Sequence, residues 1–243
     1  MLGRLMVDGG AVDVAFDVSY DVAWGNDHVL FLDQGRHVQL FMDKRSGAGF
    51  SSKLSYGSGF FHLRIKLPNK DSAGVITAFY LRSKSNRYHD ELDFEFLGNK
   101  EGRPITLQTN LYANGKGERE QRFHLWFDPT ANFHTYKIMW NEHQILWATD
   151  GGRTKTNWSC APFTADFQGF NVNGCALAAA DQSSSNGCYA SKYWWNQSKY
   201  WKLGHRQKQK YEQVRNKYMY YDYCDDRDRH PTVPPECASN RAG

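Results

Sequence analysis

Three carboxylates stand at alternate positions in the stretch His89-Asp-Glu-Leu-Asp-Phe-Glu-Phe-Leu-Gly-Asn99. On an extended strand alternate side chains share a face. His89, Glu91, Asp93 and Glu95 therefore point one way, and Leu92, Phe94 and Phe96 point the other way, into a core. Like charges crowded on one face separate their pKa values, so that one group stays ionised while another holds a proton near neutral pH. A carboxylate paired with a carboxylic acid is what cleavage of a glycosidic bond requires. The spacing sets a condition. Cα atoms four residues apart on a strand are about 13 Å apart, whereas a retaining glycosidase holds its two carboxyl groups at about 5–5.5 Å. Glu91 and Glu95 must lean toward each other across Asp93. A strand with no chemical role would show the same pattern as a solvated acidic face, usually with Lys or Thr mixed in.

The elements that would hold this strand are themselves strands. Phe61, Leu63, Ile65 and Leu67 alternate with His62, Arg64 and Lys66, the period of a half-buried strand. Phe123, Leu125 and Phe127 alternate with Arg122 and His124, and Tyr136, Ile138 and Trp140 repeat the pattern. Val75 to Leu81 is a nearly continuous apolar run, which predicts a strand covered on both faces. Gly47-Ala48-Gly49, Pro68-Asn69, Gly98-Asn99, Asn114-Gly115 and Asp128-Pro129 separate these runs with turn chemistry. No helical period interrupts them. The expected fold is all-β, an antiparallel β-sandwich of jelly-roll, concanavalin-like type over residues 12–163. Residues 164–243 form a C-terminal extension. Within it 164–188, rich in Gly, Asn, Ala and Ser, is expected as loop. Leu203, Tyr211, Val214 and Tyr218 recur at helical spacing and predict a helix. Its basic face (Lys202, Arg206, Lys208, Lys210, Arg215, Lys217) could touch an acidic polymer but is expected to be simply solvated. The Pro-rich segment Cys224 to Cys237 reads as a tied-down tail.

Composition narrows the class. The 15% of aromatic residues can serve sheets or line a carbohydrate groove, and composition alone favours sheets. A net charge of +4 is too mild to argue for nucleic acid. No run of 18 apolar residues predicts a membrane span. None of the five cysteines forms a Cys-x-x-Cys pair or has a His at zinc-ligand spacing, so neither metal nor other cofactor is expected. Cys175 with Cys188 and Cys224 with Cys237 each close a short loop that suits a local disulfide, worth about 3 kcal/mol in the chain-entropy model. That pairing leaves Cys160 over and favours an oxidising compartment. Asn157-Trp158-Ser159 and Asn196-Gln197-Ser198 are candidate N-glycan acceptors pointing the same way.

A larger pattern surrounds the acidic strand. Ser72-Ala-Gly-Val-Ile-Thr-Ala-Phe-Tyr80, His89 to Asn99, Gln108-Thr-Asn110, Gly115-Lys-Gly-Glu-Arg-Glu-Gln121, Leu125-Trp-Phe-Asp-Pro-Thr130 and Asn132-Phe-His-Thr-Tyr136 stand in that order. Trp158-Ser-Cys-Ala-Pro-Phe163, Tyr221-Asp-Tyr-Cys224 and Pro234-Pro-Glu-Cys237 follow. In these segments, which cover most of its length, the chain resembles the xyloglucan endotransglycosylase/hydrolase family within glycoside hydrolase family 16. The resemblance implies a curved jelly roll with a long open cleft, and endo-acting, retaining cleavage of β-1,4-glucan backbones. The glycosyl-enzyme would pass to a xyloglucan acceptor or to water. It implies Glu91 as nucleophile, Glu95 as acid and then base, and Asp93 as the group that tunes the nucleophile. His89, Glu95, Gln108, Thr109, Asn110, Glu118, Arg119 and Glu120 fall where the family meets its substrate on one side of the cleft. Tyr221 and Arg229 fall where its C-terminal extension meets the other side. The partners implied are xyloglucan and its oligosaccharides, with no nucleic acid or membrane, for a monomeric enzyme secreted to the plant cell wall or apoplast. Met1–Asp8 shows no apolar segment of signal-peptide length.

Two departures accompany the resemblance. Asn99-Lys100-Glu101 lacks the glycan acceptor that the family often carries after its catalytic strand. Ile145-Leu146 also runs straight into Trp147-Ala-Thr-Asp-Gly151, where the family continues for roughly two to three more strands of ordinary length. Only Trp147 and Gly151 remain of a sugar-binding segment there. The competing expectation is a glucan-binding variant with the same cleft and little or no turnover. A nucleic-acid module rests only on the basic helix, and Gly115-Lys-Gly117 is too short for a phosphate loop.

Overall fold

The chain's strand-forming runs become thirteen strands among the residues that the structure, a computed structural model, describes: 13–84, 89–145, 158–178 and 186–239. In chain order they are β1 (Tyr20–Trp24), β2 (Val29–Leu32), β3 (His37–Met42), β4 (Gly49–Ser52), β5 (Tyr56–Lys66), β6 (Ile76–Arg82) and β7 (Glu91–Leu97). There follow β8 (Thr106–Tyr112), β9 (Gln121–His124), β10 (His134–Trp140), β11 (Phe163–Gln168), β12 (Asn173–Ala176) and β13 (Met219–Asp222). Three helices accompany them: a single turn α1 (Phe16–Ser19), α2 (His205–Tyr218) and a short α3 (Pro235–Ser239). One antiparallel sheet runs β10-β5-β11-β3-β2, with β12 also paired to β5; a second runs β13-β9-β8-β7-β6. Strands β1 and β4 pair only with each other.

The two large sheets stack through the apolar faces that period-2 alternation predicts. Leu63 and Ile65 of β5, Ile138 of β10 and Phe167 of β11 meet Leu92, Phe94 and Phe96 of β7 in one core. Phe96 and Tyr136 cross it edge to face with centroids 4.5 Å apart. Each such side chain contributes about 1.5–3 kcal/mol on burial. This core fixes the register of β7, because a slip of one residue would turn its carboxylates inward.

Two strand readings are exchanged in the structure. β5 is not half-buried. Its outer face carries Phe60, which packs under Met139, Cys175, Cys188 and Trp195 of a second cluster. Trp195 Nε1 donates to Ser58 Oγ at 3.0 Å, and Ser58 Oγ donates to the Cys188 carbonyl at 2.6 Å. The C-terminal extension thus covers the outside of β5. The run Val75 to Leu81, expected to be covered on both faces, instead holds β6 at the sheet's edge, with Ile76 54% and Tyr80 50% exposed. Its apolar residues line an open face, so hydrophobicity there does not mean burial.

The boundary expected at residue 163 is also corrected. Residues 164–188 are not simply loop. Phe163, Ala165 and Phe167 are buried on β11, which inserts between β3 and β5. The sandwich therefore runs on to β12. Both expected disulfides are present, Cys175–Cys188 and Cys224–Cys237, with Cα atoms 5.4 and 5.5 Å apart, and Cys160 is a free thiol. Asn196 is 4% exposed, and its Nδ2 donates to the Cys188 carbonyl at 2.6 Å and to the Ala190 carbonyl at 3.3 Å. Folding closes that glycan acceptor. Asn157 lies outside the described residues.

Candidate active site

Registry builds the site. Glu91, Asp93 and Glu95 of β7 stand opposite Tyr112, Asn110 and Gln108 of β8 on one side, and opposite Arg82, Tyr80 and Ala78 of β6 on the other. Directly paired residues on antiparallel strands project to the same face, so all of these share the outer face of the five-stranded sheet. Arg122 of β9 continues the row opposite Gln108.

The hairpin between β8 and the residues before β9 anchors the entry to β7. Asn114 and Gly115 both have positive φ (52° and 77°), the conformation that a two-residue hairpin of this hand requires. Gly115 N donates to the His89 carbonyl at 2.7 Å, and Asn114 N donates to Asp90 Oδ1 at 2.7 Å. His89 is thereby fixed beside the first carboxylate. Its Nε2 lies 3.0 Å from Glu91 Oε2, and its ring stacks on Tyr112 with centroids 5.0 Å apart.

Asp93 sits between the two glutamates and is only 7% exposed. Burial, then the charges of Glu91 and Glu95, push its carboxyl up to about 8, and the proton it keeps is donated to Glu91. The same negative field, after burial, raises the Tyr112 phenol. Gln108 Nε2 donates to Glu95 Oε2. Gln108 Oε1 is buried and accepts no hydrogen bond from the described residues.

The remaining expected site residues divide into three groups. Thr109 does not reach the cleft. It pairs with Phe94, faces the core and is 2% exposed, because its parity on β8 is opposite to that of Gln108 and Asn110. Asn110 lies on the site face beside Asp93, but its Oδ1 accepts from Leu111 N (2.9 Å) and Arg119 N (3.1 Å), so it also organises the loop. Glu118, Arg119, Glu120, Tyr221 and Arg229 form one cluster at the far end of the sheet. Arg229 donates to both Glu120 oxygens at 2.8 and 3.0 Å and to the Tyr221 hydroxyl at 3.3 Å. Its Nη2 is 3.8 Å from Glu118 Oε1. Arg119 reaches Glu236 of α3 at 2.6 Å. Trp147 and Gly151 lie outside the described residues, as does the junction Leu146–Trp147. Tyr112, Tyr80, Arg82 and Arg122 were missed. Tyr112 was within reach of the sequence, since it shares the parity of Gln108 and Asn110 on the same strand. Arg122 holds its guanidinium 4.2 Å from the centroid of the Tyr221 ring.

An open antiparallel sheet with three adjacent carboxylates, one kept protonated between two others, on a jelly-roll sandwich is a glycoside-hydrolase architecture. The family model described as glycosyl hydrolases family 16 matches residues 16–197, and that described as xyloglucan endo-transglycosylase C-terminus matches 189–237. The chain is 48% identical to xyloglucan endotransglucosylase/hydrolase protein 2 of Arabidopsis thaliana, over 96% of this chain and 91% of the relative. It is 46% identical to protein 3 of the same plant, over 92% and 89%. To xyloglucan endotransglucosylase/hydrolase protein A of Phaseolus angularis the identity is 43%, over 95% and 90%. The chain belongs to glycosyl hydrolase family 16, among its xyloglucan endotransglucosylase/hydrolases. The alignment with the first relative spans 269 positions, more than the 243 residues of this chain, so that relative carries residues with no counterpart here.

Proposed function

We propose that this chain cleaves and rejoins the β-1,4-glucan backbone of xyloglucan by a retaining mechanism carried by Glu91, Asp93 and Glu95. The observation that supports this most is the protonation pattern on β7: a buried, proton-bearing Asp93 donating to Glu91, with Glu95 held separately by Gln108. Glu91 attacks the anomeric carbon as the glycosidic C–O bond breaks, and Glu95 delivers its proton to the departing hydroxyl oxygen. The glycosyl–Glu91 ester then meets an incoming sugar hydroxyl or water. Glu95, now a carboxylate, removes that proton, the new C–O bond forms and Glu91 leaves as the carboxylate. Two inversions retain the anomeric configuration. While Glu91 is ionised it accepts from Asp93 and His89, and the bond from Asp93 must weaken as the negative charge is transferred.

Gln108 Oε1, lacking a protein donor, would accept a sugar hydroxyl next to Glu95. His89 acts on Glu91 rather than directly on substrate. Glu118, Glu120, Tyr221 and Arg229 bound the sheet at the β13 end and would contact sugars beyond the reacting bond. Two disulfides suit an oxidising compartment, which supports secretion to the cell wall. A second reading, glucan binding with weak turnover, is favoured by the exposed edge of β6 and by the residues missing relative to the first relative.

The test is Glu91→Gln and Glu95→Gln measured with xyloglucan and a labelled oligosaccharide acceptor. Glu91→Gln should abolish both transfer and hydrolysis. Glu95→Gln should lose about 10²–10⁴-fold, and a donor with a good leaving group should recover part of that loss. Turnover surviving in Glu91→Gln removes the nucleophile assignment. Binding without turnover in the unaltered chain selects the second reading.

A further inference from the structure

The positive charge of this protein is concentrated. Residues 189–218 contain eight Lys and Arg against the single acid Glu212, so this stretch is more positive than the whole chain's +4 and the rest is net acidic. The fold does not use most of this charge. α2 buries none of its residues and has no acid in its first turn. Arg206 there opposes the helix dipole, which favours anions at that end. Arg206 and Lys210, four residues apart, repel each other. Arg215 does have a structural task, binding Asp222 at 2.6 Å. Lys202, Arg206 and Lys208 are exposed and have no carboxylate partner among the described residues.

Beside these cations stands a fixed aromatic platform. Trp201 is 43% exposed. Its Nε1 donates to the Asn196 carbonyl at 2.8 Å, and its ring lies against His143 with centroids 4.2 Å apart. An indole fixed in this way loses little freedom when a sugar ring stacks on it. α2 runs directly into β13, so the surface adjoins the edge of the active-site sheet.

We propose that Trp201, Lys202, Arg206 and Lys208 form a secondary binding surface for an acidic polysaccharide, a chain of uronate sugars. The cations pair with its carboxylates and Trp201 stacks on the C–H face of a sugar. A nucleic acid would use the same charges. Uronate is favoured because one platform backed by an adjacent polysaccharide cleft suits a sugar chain, whereas a single-strand binder lines up successive stacking rings along a groove. The surface lies outside the catalytic row, so it would retain the protein on a charged matrix while the cleft works on a neutral one.

The probe is polygalacturonate, presented to the full 243-residue protein alongside its fully methyl-esterified form and single-stranded DNA. Polygalacturonate should be retained at 0.1 M salt, and binding should fall steeply as salt rises. The esterified polymer should bind at least about tenfold more weakly, for loss of its charge. Lys202→Gln/Arg206→Gln/Lys208→Gln should weaken polygalacturonate binding about tenfold or more with a shallower salt dependence. The swap Lys202→Arg/Arg206→Lys/Lys208→Arg should preserve it, and Trp201→Ala should weaken it without changing the salt dependence. Hydrolysis of soluble xyloglucan oligosaccharides should be unchanged in the triple Gln variant. Equal weakening by Lys44→Gln/Lys84→Gln/Lys100→Gln, equal binding of the esterified polymer, tighter binding of DNA, or no binding of polygalacturonate would each overturn the proposal.

Discussion

Asp93 carries the sharpest consequence at the scale of a single residue. In the folded protein burial and two neighbouring glutamates hold its carboxyl at about 8, against an ordinary value of 3.8. Between those values the native state keeps a proton that the unfolded chain has lost. Stability attributable to this group is therefore fully present below pH about 4, falls as pH rises through the window, and is flat above about 8. Asp93→Asn retains a neutral side chain of the same shape and removes that dependence. At pH 7 its Tm should exceed that of the unaltered protein, by about 2–4 °C for each kcal/mol of relief. At pH 4 the two should coincide. Activity should move the opposite way, falling on the order of 100-fold, because an amide cannot shift its hydrogen bond in step with Glu91. Thermal scans across pH decide this. The same gain at pH 4 and pH 7 would mean that Asp93 does not hold the proton.

At the scale of elements, the disulfide loop Cys224–Cys237 ties the sheet edge to the C-terminal tail. It brings Arg229 onto Glu120 and Tyr221, while α3 gives Glu236 to Arg119. Cys224→Ser/Cys237→Ser should lower Tm by roughly 6–12 °C, from about 3 kcal/mol of loop-closure entropy, whereas Cys160→Ser should leave it nearly unchanged. Intact-mass analysis without reductant should find one alkylatable thiol, and five would defeat both pairings. These elements also show what the sequence could reveal. The acidic face of β7 and the inner faces of β5 and β10 were legible, because alternation reports directly which side meets a core. Helix α2 was legible from its spacing, with Tyr211 and Val214 only half-buried. β6 was misread because apolar residues facing an open cleft look the same as residues facing a core. β11 was missed although Phe163, Ala165 and Phe167 alternate, since the surrounding Gly, Asn and Ser suggested loop. Thr109 was misassigned by adjacency to Gln108 and Asn110, although parity alone would have turned it inward. The links among Glu120, Arg229, Tyr221 and Asp226 join distant parts of the chain, and no local pattern announces them.

At the scale of the molecule, the active-site sheet is open on its β6 side. A seven-residue edge strand bearing exposed Ile76 and Tyr80 offers unpaired backbone groups to any extended chain. β1 and β4 pair with no other strand among the described residues, and the alignment with the first relative exceeds this chain's length. The jump from Leu146 to Trp147 is where the sequence suggests the lost residues belong. β7, β8 and β9 are each paired on both sides, so the carboxylates keep their mutual geometry. What an open side removes is a wall for the sugar chain, and misplacement near 1 Å can cost about 100-fold in rate. Placing the first relative's extra residues between Leu146 and Trp147 should therefore raise Tm, suppress aggregation and increase xyloglucan transfer by about 10-fold or more, with the pH dependence of the Asp93 linkage unchanged. The two forms can be expressed side by side, and thermal midpoints, light scattering and transfer to a labelled acceptor compared. Equal midpoints and equal transfer would show that this shorter chain already closes its cleft, and that the edge of β6 is covered without the additional strands.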